Sequence, residues 1–236
     1  MRADPALLAE IVDANRILAS QGVVDAFGHV SVRHNESSQH FLLARNMAPG
    51  SVTADDILTF GLDGEPIDAD GRAVYLERFI HSEIYRLRPD VVSVVHSHSM
   101  SVVPFSVSQS ATLRAVCHMG GFLGCYVPNF EIRDVSGAGT DLLIRDGVSG
   151  AALAHTLGGG AVALMRGHGS TVVGPTLRLA VFRAVYTEVN ARVQLQAMQL
   201  GAVTYLTAEE CAAATAGVGS QVNRAWNYWK AQADTR

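Results

Sequence analysis

The sequence predicts an α/β domain in which helices cover a sheet in layers. Three observations carry that expectation. Apolar residues recur at helical spacing near both ends of the chain. The stretch from Gly28 to Leu62 instead alternates as strands do. Two further apolar runs, VVSVVH and AVALM, lead directly into histidine-bearing turns.

The elements follow in order. Asp4-Pro5 reads as an N-cap and first helical residue, and Leu7, Leu8, Ile11, Val12, Asn15 and Leu18 continue the period until Gly22. HVSVR, HFLLAR and ILTFGL read as short strands, closed by the Asp63-Gly64 turn. From Val74 to Arg88 the helical period returns, with Leu76, Phe79, Ile80, Ile84 and Leu87 as its buried stripe, and Pro89 ends it. VVSVVH is a strand ending at His96, followed by a helix over residues 99–107. Between Thr112 and Leu143 short apolar runs alternate with Gly, Pro and Asn, which predicts strands and loops. Residues 147–157 form a short helix stopped by three glycines, and AVALM and STVVG are strands on either side of Arg166-Gly167-His168-Gly169. A long helix spans 176–200, Thr207 and Glu210 form a capping box for the next, and the Trp226–Trp229 region is helical. With no repeat or linker, residues 1–236 read as one domain in which residues 207–236 are a helical C-terminal extension.

Composition narrows the class. At 48% hydrophobic and 17% charged residues the chain is globular rather than disordered. A net charge of −4 without a Lys/Arg run gives no footprint for nucleic acid. Asp4 and Glu10 interrupt any amino-terminal signal segment, and no run reaches the roughly 18 apolar residues of a membrane span. Cys117, Cys125 and Cys211 form no C-x-x-C pair, so reduced thiols in a cytoplasmic protein are expected.

His96-Ser97-His98 closes a buried strand, where residues two apart face the same way and both imidazoles can converge on one ion. The alternative is one histidine in the core and one on a rim. The glycines around His168 allow a tight turn to aim its ring, although they also suit a plain turn. Together the two motifs can build a three-histidine site with open positions. Glu77, on the helix before the His96 strand, is either a surface salt-bridging group or, beside a dication, a ligand or proton carrier. His81 follows one turn later as a supporting partner. His34 and His40 are read as lying in polar loops and His155 on an exposed helix, all three without a role.

These pieces resemble the class II aldolase/adducin family. The matching stretches are Gly28-His29-Val30-Ser31-Val32-Arg33, Thr53-Ala54-Asp55-Asp56-Ile57, Glu77 to Ser99, and Arg166-Gly167-His168-Gly169, in family order over roughly residues 5–205. The resemblance implies a three-layer α/β/α domain with a mainly antiparallel sheet, a ring-like homotetramer, and active sites at subunit interfaces. It implies one divalent ion per subunit on His96, His98 and His168, with Glu77 as the catalytic carboxylate. Zinc, manganese, iron and cobalt all suit three imidazoles. Adducin-type scaffolds of the family lack the metal histidines, which are present here.

Departures from the family bear on the substrate. Phosphate-binding members carry Gly-Asn, a Ser/Thr-Gly loop and a serine pair; here stand Gly28-His29, Ala44-Arg45-Asn46 and Tyr75-Leu76. A phenol and an isobutyl group occupy the volume a phosphate needs. His29, Arg45, Asn46 and Tyr75 become the expected substrate contacts, Arg45 as a fork for a carboxylate unless it is a plain surface arginine. His118, in Cys117-His118-Met119, matches the tyrosine that phosphate aldolases lend from a neighbouring subunit. The substitutions resemble the branch that holds hydroxy-methylpyridine-dicarboxylate decarboxylase and dihydroxyphthalate decarboxylase. A metal-dependent decarboxylase of a hydroxylated aromatic or heteroaromatic carboxylate is therefore expected, with Glu77 or His118 as the proton donor. The alternatives are an aldolase or epimerase on a sugar, a non-haem iron oxygenase, and a non-catalytic scaffold.

Overall fold

The computed structural model describes residues 3–235. Asp4 accepts the amide hydrogen of Ala6 and Pro5 opens helix α1 (Pro5–Ser20), which buries Ile11, Val12, Ala14, Asn15, Ile17 and Leu18. Strands β1 (His29–His34), β2 (Ser37–Ala44) and β3 (Ile57–Gly61) form an antiparallel meander. Helix α2 (Arg78–Leu87) leads to β4 (Ser93–Ser97) and a short helix α3 (Val103–Val107). After β5 (Asn129–Phe130) and one turn of helix α4 (Arg133–Ser136) come α5 (Gly147–Leu157), β6 (Val162–Met165) and β7 (Gly169–Gly174). Helices α6 (Leu177–Leu200), α7 (Ala208–Val218) and α8 (Val222–Ala233) complete the chain.

The seven strands form one sheet in the order β3-β2-β1-β4-β7-β6-β5. Every pairing is antiparallel except β5 with β6. Helices α1 and α6 pack on one face, with α8 against both, while α2 and α5 pack on each other and on the opposite side. The expected helix-covered, mainly antiparallel α/β sheet is thus present. Register places His29 opposite His96 and Ser31 opposite Val94 on the face that looks toward α2. Among the described residues no helix is long and apolar enough to cross a membrane.

Some local expectations need correction. The helix predicted from Val74 begins only at Arg78, and Leu76, assigned to its buried stripe, is exposed. Tertiary bonds hold the chain off the helical path: the Tyr75 hydroxyl donates to the Met47 carbonyl, and the Arg78 guanidinium donates to the Gly64 and Tyr75 carbonyls. Helix α3 starts at Val103 rather than Ser99, because Glu188 takes both the amide and hydroxyl hydrogens of Ser101 and turns the chain first. His34 and His40 lie on strands β1 and β2, not in loops, and His34 is buried.

The stretch 112–143 holds less strand than predicted. Thr112 to Val116 forms no strand; Ala115 bonds to the Gly124 carbonyl and the Leu206 amide, and several of the other backbone groups bond to side chains of α6. Gln194 and Asn190 together serve the Thr112 and Arg114 carbonyls and the Arg114 and Val116 amides. Two amides on one helix thus stand in for a neighbouring strand. Trp226 and Trp229 are buried against α6, with Trp229 about 6 Å from the Phe182 and Tyr186 rings, so both pack on their own domain.

Candidate metal centre

Four side chains distant in sequence meet at one end of the sheet. His96 is the penultimate residue of β4, His98 follows the strand, His168 occupies the turn between β6 and β7, and Glu77 directly precedes α2. Their ligand atoms all lie within 4.8 Å of one another. The turn depends on its glycines. Gly167 has φ +66, and a Cβ on Gly169 would overlap the Ser97 carbonyl oxygen, so only glycine lets β7 approach β4 this closely. Gly169→Ala is expected to cost about 1–3 kcal/mol or more and to lower the melting temperature by several degrees. A melting curve unchanged from wild type would show that the strands part freely.

Hydrogen bonds fix how the rings present themselves. His96 Nδ1 lies 3.1 Å from the Ser170 carbonyl oxygen and His168 Nδ1 lies 2.9 Å from that of Leu142. Carbonyls only accept, so both Nδ1 atoms carry the hydrogen, and in the neutral rings that a metal ion would meet both Nε2 atoms present a lone pair. His98 Nε2 sits 3.1 Å from His96 Nε2 and 3.0 Å from His168 Nε2. A hydrogen on His98 Nε2 can satisfy only one of these contacts, leaving lone pair against lone pair in the other. A cation bound about 2.0–2.1 Å from each nitrogen relieves this, since its neighbouring ligands stand about 3 Å apart. The donor set therefore fits a divalent metal ion.

Glu77 completes the cluster. Its Oε1 accepts the amide hydrogen of Ile144 at 3.0 Å, and its Oε2 lies 3.5 Å from His96 Nε2 and 3.4 Å from His168 Nε2. Burial acts to raise the carboxyl pKa, but the two imidazoles outweigh it and hold Glu77 far below the usual carboxylate range. His168 is the counterpart: burial acts to lower its pKa, and the Glu77 carboxylate outweighs that and raises it. His98 is lowered to about 4, by burial first and then by His96 and His168.

The centre opens on a cleft of about 340 Å³ whose walls include Phe27, His29, Asn46, Tyr75, Leu76 and Leu143. Of the four expected substrate contacts, His29, Asn46 and Tyr75 line it and Arg45 does not. The Arg45 guanidinium instead pairs with Asp56 at 2.6 Å, and among the described residues no lysine or arginine lines this cleft. His118 is also remote from the cleft wall of its own chain; it lies on the 3-10 turn His118–Leu123, packed on α6 and α7.

His81 supports the site, and His29 and Ser31 are its partners. Its Nε2 lies 2.6 Å from His29 Nδ1 and its Nδ1 lies 2.6 Å from Ser31 Oγ, which is 2.7 Å from the Tyr85 hydroxyl. Burial lowers His81 to about 3 and is the largest cause that holds His29 well below its ordinary value, so both rings are neutral near pH 7.

The backbone partners were invisible to sequence reasoning. Ile144 serves Glu77 by its amide, while the carbonyls of Ser170 and Leu142 serve two histidines, and any residue type can supply those groups. Leu142 does so at φ +71, a conformation that leucine rarely adopts and that no sequence signal marks.

The family described as Class II Aldolase and Adducin N-terminal domain matches residues 9–195. The chain is 38% identical to "Decarboxylase tropJ" of Talaromyces stipitatus, over 93% of this chain and 91% of that protein. It is 32% identical to the 3,4-dihydroxyphthalate decarboxylase of Terrabacter sp., over 92% and 93% of the two chains. Among solved structures, the L-fuculose 1-phosphate aldolase of Glaciozyma antarctica superposes with a TM-score of 0.74 at 26% identity, covering 97% of this chain and 87% of that one.

Proposed function

The chain belongs to the class II aldolase and adducin family, and from that premise we propose that it is a metal-dependent decarboxylase of a non-phosphorylated, hydroxylated aromatic or heteroaromatic carboxylate. The observation that carries the reading is the cleft beside the His96, His98, His168 and Glu77 cluster. Its wall offers aromatic and apolar surface with a few polar groups, and among the described residues that line it there is no lysine or arginine to clamp a phosphate. Tyr75, tied to the Met47 carbonyl, and the projecting Leu76 fill the space expected of a serine pair. The similarity to two proteins named as decarboxylases supports the same reading.

The three histidines would hold the ion, whether zinc, manganese, iron or cobalt, through Nε2. When bound it supplies Lewis-acid stabilisation of charge on adjacent substrate oxygens. The protein's own groups account for the rest. Phe27, Tyr75, Leu76 and Leu143 clamp a flat ring, while His29 and Asn46 fix its polar edge. Glu77, ionised, takes the proton of the ring hydroxyl beside the carboxylate. Glu77 delivers that proton to the ring carbon bearing the carboxylate, which makes this carbon tetrahedral and the ring oxygen a carbonyl; the bond to the carboxyl carbon then breaks, CO₂ leaves, and its electron pair restores the aromatic ring with the charge on that oxygen. The product oxygen then takes a proton from solvent, so one proton is consumed per CO₂ released.

The working unit in this proposal is a cytoplasmic homotetramer with sites at subunit interfaces. Phe27 and Leu76 on the cleft wall and Met100 beyond His98 are exposed apolar groups that a neighbouring copy would cover. His118 would then reach the cleft of that neighbour as a second proton-transfer group.

The test is CO₂ release from a panel of ortho-hydroxylated aromatic and pyridine carboxylates with Mn²⁺ or Zn²⁺, sugar phosphates being run alongside. Release that chelator abolishes is expected. Silence on every acid, with cleavage of a sugar phosphate, would replace this reading with an aldolase.

A further inference from the structure

His29 has one ring nitrogen engaged and the other open. Nδ1 meets His81 at 2.6 Å, whereas Nε2 has no hydrogen-bond partner among the described residues, on a side chain that lines the cleft. Behind it the buried chain continues through Ser31 to Tyr85, whose hydroxyl also lies 3.3 Å from the Val92 carbonyl oxygen. All four side chains are buried, and among the described residues no carboxylate is hydrogen-bonded to any of them, so each group of the chain is counted uncharged.

Counting hydrogens leaves two arrangements. The links between Tyr85, Ser31, His81 and His29 need one hydrogen each, and each of the four neutral groups carries one. The remaining hydrogen must point out of one end. Either Tyr85 donates to Val92 and His29 offers the cleft a lone pair, or Tyr85 donates to Ser31 and every hydrogen points toward the cleft. The far end decides between them. The Val92 carbonyl already accepts the Arg33 amide at 2.7 Å, and the Tyr85 oxygen at 3.3 Å stands beyond the usual O–H···O range of about 2.5–3.0 Å. Ser31 Oγ at 2.7 Å is within it.

We propose that the buried Tyr85, Ser31 and His81 chain fixes His29 as an Nε2–H donor, and that this donor holds a carboxylate oxygen of the substrate. Ser31 and His81 are then positioning residues and His29 a specificity determinant. The fixed donor takes the part that Arg45 leaves open by pairing with Asp56. A group that can only donate selects an anionic oxygen over a hydroxyl hydrogen, and its neutrality makes it a poor phosphate clamp. The carboxylate rests on the aromatic-acid reading above; the hydrogen arrangement does not.

Solid-state NMR of zinc-loaded protein labelled with ¹⁵N-histidine reads the arrangement directly, His29 being assigned by the signals that His29→Asn removes. The expected wild-type spectrum shows His29 Nε2 protonated and Nδ1 bearing the lone pair. Ser31→Ala should scramble that pattern and Ser31→Thr should restore it. Salicylate should shift the His29 Nε2 signal in wild type, and Ser31→Ala should raise KM for an accepted acid about tenfold with kcat little changed. A lone pair on His29 Nε2 in wild type, an unaltered spectrum in Ser31→Ala, or no response to salicylate would overturn the proposal. If no acid is decarboxylated at all, an intact Nε2–H spectrum identifies the aromatic-acid reading as the part that failed.

Discussion

Glu77→Gln is expected to lower kcat for CO₂ release by about 10²–10⁴-fold while leaving the metal content per chain unchanged. The substitution is close to isosteric, and the amide oxygen can still accept the Ile144 amide hydrogen that Glu77 Oε1 takes at 3.0 Å. The segment leading into α5 should therefore stay in place, and the fold with it. What disappears is the group able to take a proton and return it to the ring carbon. KM should change little, because the substrate's edge contacts lie elsewhere in the cleft. Measuring kcat, KM and bound metal on the same preparation separates the outcomes. Unchanged kcat would move proton transfer to another group, with His118 of a neighbouring copy the first to examine. Loss of the metal instead would make Glu77 a ligand.

His96→Ala should remove the ion and, with it, activity by about a thousandfold or more, since a bound cation supplies several kcal/mol of charge stabilisation. His96 is fully buried and central: its Nε2 faces His98 at 3.1 Å, and its Nδ1 is anchored on β7 through the Ser170 carbonyl. Two imidazoles and a carboxylate would remain, with the open positions enlarged. In wild type, added zinc should raise the melting temperature, because an ion that binds only the folded chain stabilises it by mass action. The variant should melt at the same temperature with and without zinc, and should retain no metal after dialysis. A variant that keeps one ion per chain and still turns over would place the ion elsewhere.

Much of this architecture was legible in the sequence because it rests on local physics. The Asp4-Pro5 start of α1, the Thr207–Glu210 capping box and the glycine after α5 are contacts between residues a few positions apart. The loss of the helical period and the short apolar runs from His29 to Gly61 placed three strands, which are buried along most of their length. His96 and His98 share a face because strand geometry demands it, and the glycines around His168 announced the tight approach that β7 makes to β4.

What the chain order could not disclose was decided by partners far away in sequence. Val74 to Glu77 has the apolar spacing of a helix, yet bonds to Met47 and Gly64 hold it outside α2. Thr112 to Val116 bonds to Asn190 and Gln194 in place of a strand. Arg45 had the right chemistry for a carboxylate, but Asp56 claims it, and His81 turned to His29 and Ser31. By itself, then, the sequence determined the element types, the family and which residues are able to carry the chemistry. Only the tertiary structure decided which of them meet, because a hydrogen bond or ion pair is satisfied by whichever complementary group folding brings within about 3 Å.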